Sequence, residues 1–80
     1  MSYARISLRG NVFQEDFPAW IKRHSDKLGL EGLTVWRESE FLVIEANGLE
    51  PMLQALALGC SLGPGSVLVE TYDVRISNQP

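Results

Sequence analysis

The residues best placed for chemistry lie between Gly10 and Pro18. Gly10-Asn11-Val12-Phe13-Gln14-Glu15-Asp16-Phe17-Pro18 leads from a strand-like run into a helix-like run. A glycine-led loop that opens a helix can turn its backbone N–H groups toward a phosphate or another anion. The candidates for such an anion loop are Gly10, Asn11, Val12, Phe13, Gln14 and Glu15. The side chains argue the other way. After Gly10 the loop holds no Arg, Lys, Ser or Thr, and Glu15 and Asp16 fall at its mouth. Carboxylates there repel a phosphate and themselves complement the helix dipole. The same residues also read as a capped helix start, with Asp16 as N-cap and Pro18 tolerated in the first turn.

Other reactive residue types are isolated. His24 is the only histidine, and no second His, paired Cys or carboxylate accompanies it at metal-ligand spacing. It reads as a packing side chain, and no metal or cofactor is expected. Cys60 is the only cysteine, which forbids an intramolecular disulfide and reads as a small core residue. Ser61 beside it has no triad context. Glu38 and Glu40 flank a turn, where two carboxylates are normally solvated. Trp20 falls on an apolar stripe. Trp36 lies out of register with Leu33 and Val35, as a cover over a sheet face or the lining of a small apolar pocket.

These groups need elements to position them. Ala4, Ile6 and Leu8 alternate with Tyr3, Arg5, Ser7 and Arg9, the period of a half-buried strand. Phe17, Trp20, Ile21, His24 and Leu28 form one helical stripe that Gly29 ends. Leu33-Thr34-Val35-Trp36 and Phe41-Leu42-Val43-Ile44-Glu45-Ala46 read as a hairpin turning at Arg37-Glu38-Ser39-Glu40. Pro51 marks the first turn of a second helix, whose buried face is Met52, Leu53, Leu56 and Cys60 or Ala57. Gly59 is expected to weaken its last turn. Leu62-Gly63-Pro64-Gly65 breaks the chain, and residues 67 to 74 read as the last strand. Strand, helix, strand, strand, helix, strand is the ferredoxin-like α+β arrangement: two interleaved βαβ units, a four-stranded antiparallel sheet and both helices on one face.

The totals fit one small domain over residues 1–80, with its core in about 3–76 and a loose tail at Ser77-Asn78-Gln79-Pro80. A chain of 80 residues that is 45% hydrophobic and 21% charged is an ordinary globule. The net charge of -3 argues against nucleic acid, as does a sheet face without the paired aromatics and basic residues of RNA binders. No run approaches the ~20 apolar residues of a membrane helix. The single cysteine suits a cytoplasmic setting.

Taken together, the small motifs resemble the acylphosphatase family over about residues 3–74. Gly10, Val12 and Phe17 match that family's Gly-x-Val-Gln-Gly-Val-x-Phe-Arg motif at the end of the first strand. Gly29-Leu30-Glu31-Gly32 resembles its Gly-Val/Leu-x-Gly, Gly48 the glycine before the second helix, and Gly63-Pro64 the Gly-Pro that closes it. Leu53, Leu56 and Cys60 stand where bacterial members carry Val, Leu and often Cys. The resemblance implies a phosphate-binding Arg at the end of the first motif and a water-orienting Asn eighteen positions later. Here those positions are Pro18 and Trp36, and the family's Gln-Gly pair is Phe13-Gln14. Proline has no N–H and no charge, and an indole has no acceptor to hold a water. Phosphoryl chemistry rests on positioning and charge neutralisation, so both requirements are lost together.

The reading is therefore an acylphosphatase-like domain without catalysis, acting through an unknown small ligand or protein. Phosphate or another anion is one such ligand, and the chain is expected as a monomer or weak dimer. Two alternatives stay open. One is a divergent acylphosphatase using displaced groups such as Arg9, Asn11 or Arg23. The other is a small-molecule-sensing regulatory module of the same topology.

Overall fold

A computed structural model describes residues 1–78. The elements run β1 (Ser2–Asn11), α1 (Phe17–Lys27), β2 (Glu31–Glu38), β3 (Phe41–Gly48), α2 (Glu50–Leu62) and β4 (Leu68–Asn78). The strands form one sheet in the order β2-β3-β1-β4, with every neighbouring pair antiparallel. This is the ferredoxin-like α+β fold.

Alternation decides which face of the sheet is covered. Ala4, Ile6 and Leu8 of β1 stand opposite Ala46, Ile44 and Leu42 of β3, and all six are buried. They join Phe17 and Ile21 of α1 and Leu53, Leu56, Ala57 and Cys60 of α2 in one core. Burying a side chain of the Leu, Ile or Phe class contributes about 1.5–3 kcal/mol. The other face carries Tyr3, Arg5, Ser7 and Arg9 of β1 and has no helix over it.

Several boundaries differ from the sequence reading. The hairpin turn is only Ser39-Glu40, with Ser39 at φ 57°, because β2 and β3 pair out to Glu38 and Phe41. Ser77 and Asn78 are not a loose tail. Because β1 begins at Ser2, they pair with Tyr3 and Ser2, and Ser2 Oγ donates to Asn78 Oδ1 at 2.7 Å. Gln79 and Pro80 lie outside the described residues.

Asp16 occupies the N-cap position but makes no side-chain cap. Its backbone is already helical, at φ -85° and ψ -9°, and its carbonyl accepts the Trp20 N–H at 3.1 Å. A capping residue needs an extended backbone to bring its side chain over the first amides. Gly59, expected only to loosen α2, is where the two helices meet. A Cβ there would lie 2.3 Å from His24 Nε2.

Candidate functional site

The loop between β1 and α1 leaves the sheet at a bulge. The β1–β4 register shifts between Arg9 and Gly10, and Gly10 sits at φ 138°. A Cβ at Gly10 would come within 2.4 Å of the Leu68 carbonyl oxygen and 2.8 Å of the Glu70 nitrogen. Only glycine fits this backbone and this approach. The loop is then pinned at both ends, by the fully buried side chains of Val12 and Phe17. Between them Phe13, Glu15 and Asp16 are exposed and Gln14 is half-buried.

The backbone donors of the loop are unspent. Phe17 N–H donates to the Gln14 carbonyl at 3.1 Å, but among the described residues the N–H groups of Phe13, Gln14, Glu15 and Asp16 find no backbone carbonyl to donate to. The side chains partly close the loop on itself, since Gln14 Nε2 donates to Asn11 Oδ1 at 3.0 Å. Asn11, a candidate displaced group, is therefore engaged with its own loop.

The cation that reaches this loop is one the sequence did not single out. Arg37, near the end of β2, holds its guanidinium 4.0 Å from the centre of the Phe13 ring. Its Nε donates to the Ser39 carbonyl at 3.1 Å, which fixes it at the turn. Register explains the placement: Arg37 stands opposite Leu42, whose buried side chain belongs to the helix-covered face. Period-two alternation outward from Val35 was the available signal.

Pro18 and Trp36 do not meet across the loop. Pro18 is exposed in the first turn of α1. Trp36 stands opposite Val43, on the uncovered face, with the Arg5 guanidinium 5.6 Å from its ring centre. It is half-buried there as a partial cover of the sheet. The other displaced candidates are occupied or remote. Arg9 pairs with Glu40 at 3.4 Å, and Arg23 is exposed on α1.

The remaining reactive types take structural roles. The His24 ring stacks on Trp20 with centres 5.2 Å apart, and its buried Nε2 has no hydrogen-bond partner among the described residues. Burial pushes the Cys60 thiol up to about 12, so it is not a nucleophile near neutral pH. Ser61 Oγ donates to the Leu58 carbonyl at 2.7 Å. Glu38 pairs with Arg5 at 3.2 Å, so both turn carboxylates are in exposed ion pairs. On the uncovered face the Tyr3 hydroxyl donates to the Glu45 carboxylate; burial, then that bond and charge, raise its pKa.

No protein-family model matches the chain, and no curated protein matches it. Solved structures do. The acylphosphatase from Bacillus subtilis superposes with a TM-score of 0.88 at 26% identity, over 100% of this chain and 89% of that one. An acylphosphatase from Coxiella burnetii gives 0.84 at 17% identity, over 96% and 81%. The C-terminal domain of the MgtC protein from Mycobacterium tuberculosis gives 0.55 at 15% identity, over 95% and 85%. The chain has an acylphosphatase-like fold.

Proposed function

We propose that this acylphosphatase-like chain does not hydrolyse acyl phosphates and acts by binding, with the Gly10–Pro18 loop as its binding element. One observation carries the reading: neither Pro18 nor Trp36 brings a guanidinium or a water-orienting amide to the loop, and Trp36 lies on the uncovered face of the sheet. A preorganised donor aimed at developing charge is worth about 3–4 kcal/mol to a transition state. A charged, bidentate donor is worth at least as much. What the loop keeps is the free N–H groups of Phe13 to Asp16 and the nearby Arg37 guanidinium, which suit a small anion or an acidic group of a protein. Titrating inorganic phosphate into the chain while following backbone amide resonances tests this. Saturable shifts confined to residues 12–17 support the loop as the binding element. Shifts elsewhere, or none, contradict it for anions.

A second reading is favoured by Arg37 itself. A guanidinium 4.0 Å over Phe13 stands near enough to the loop to serve a divergent acylphosphatase as a displaced charge-binding group. That reading requires turnover that Arg37→Ala abolishes.

A further inference from the structure

Strand β4 is an edge. Strand β1 lies on one side of it, and among the described residues no strand lies on the other. The opposite edge, β2, spans 8 residues and is interrupted by a register irregularity between Glu31 and Thr34. By contrast β4 spans 11 residues, and from Thr71 to Asn78 its pairing with β1 is regular. Proteins blunt exposed edges with lysine, proline, bulges or brevity. The run Leu68–Asn78 contains neither lysine nor proline.

The two faces of this edge are laid out symmetrically about Val74. Toward the helices, Tyr72, Val74 and Ile76 border a groove of about 360 Å³ shared with Ala57 and Leu58 of α2. Leu58 is 60% exposed and Tyr72 54%, so the groove, which Gln54 also lines, is open and mainly apolar. On the uncovered face the row is Thr71, Asp73, Arg75 and Ser77. Arg75 stands directly opposite Arg5, an unfavourable like-charge pair. Among the described residues only Asp73 of its own strand neutralises it, at 3.1 Å, with both side chains largely exposed.

We propose that β4 is a self-association edge, on which a second copy of this chain docks antiparallel about a two-fold axis through Val74. Directly opposed residues of antiparallel strands share a face, so the axis passes through a residue. Centring on Val74 sets Asp73 against the partner's Arg75 and Arg75 against the partner's Asp73. Centring on Asp73 or Arg75 opposes like charges, and centring on Tyr72 or Ile76 forms no ion pair at all. The same register sets Tyr72 against the partner's Ile76, so the apolar row meets its own copy and closes the groove. Each patch contacts its equivalent, as a two-fold interface requires.

Sedimentation equilibrium of the full chain from micromolar to millimolar concentration tests this, with far-UV circular dichroism as the folding control. The wild type is expected to form a reversible dimer. Asp73→Arg turns both reciprocal pairs from attraction to repulsion, and so does Arg75→Asp. Each should raise the dissociation constant about tenfold or more. An equimolar mixture of these two variants should dimerise again. The double variant Asp73→Arg/Arg75→Asp keeps the composition and the pair within the strand. It should dimerise with itself and not with the wild type, and it decides the matter if a single variant fails to fold. A wild type monomeric throughout overturns the proposal. So does a double variant that associates equally well with the wild type.

Discussion

Replacing Gly59 with alanine should destabilise the protein, although the same change in an exposed helix stabilises by about 1 kcal/mol. The new methyl carbon would sit 2.3 Å from His24 Nε2, 2.9 Å from Cδ2 and 3.2 Å from Cε1. The ring has little freedom to yield, since it is stacked on Trp20 and its Nε2 is buried. Overpacking of this kind costs about 1–3 kcal/mol, and swinging the ring out forfeits a stack worth about 0.5–1.5 kcal/mol. Set against the helix-propensity gain, the net loss should be about 1 kcal/mol, or a melting temperature lower by about 4–8 °C for a domain this small. In a His24→Ala background the obstruction is gone, and Gly59→Ala should stabilise by about 1 kcal/mol. Thermal and urea unfolding of the four proteins close a double-mutant cycle with an expected coupling of about 2 kcal/mol. If Gly59→Ala stabilises the wild type, or the two changes are additive, the helix contact is not what places glycine here.

Pro18→Arg should restore a guanidinium at the first turn of α1 and strengthen phosphate binding, read by calorimetric titration. Adding Trp36→Asn should bring no further gain, because that side chain lies on the other face; it should instead cost about 0.5–1 kcal/mol of stability through the lost Arg5 contact. Cys60 should resist a disulfide-exchange reagent at pH 8 in the native state and react fully in denaturant, since burial holds its thiol up to about 12. Removing the Asn78 amide with Asn78→Ala should lower stability by about 1 kcal/mol in urea unfolding, through loss of its 2.7 Å bond with Ser2.

The order and type of the elements were legible because two periods dominate this chain. The alternation from Ala4 to Leu8 and the stripe from Phe17 to Leu28 each sort apolar from polar residues cleanly, and burial of Ala4, Ile6, Leu8, Phe17 and Ile21 follows that sorting. Ser25, buried between stripe positions, escaped it because a small hydroxyl carries no hydropathy signal. Element ends were less legible where partners rather than composition set them. Ser77 and Asn78 extend β4 because Ser2 and Tyr3 lie beside them, and no local propensity announces that. The loop was found from its glycine and its place between strand and helix. Arg37 was missed because its contact with Phe13 joins residues far apart in sequence. The resemblance set Trp36 at the position of the water-orienting Asn, whereas its pairing with Val43 turns it to the uncovered face, where it is the sheet cover that its register with Leu33 and Val35 suggested. The role of Gly59 was hidden for the same reason: its neighbour His24 belongs to another helix.

We propose a fold kept without its phosphoryl chemistry. Hydrolysis of benzoyl phosphate by the purified chain, with free phosphate as competitor, tests it most directly. No turnover above the solvent background is expected at any substrate concentration. Saturable turnover that phosphate inhibits and Arg37→Ala abolishes would contradict it, and would mean that the charge-binding group has moved from the helix to β2.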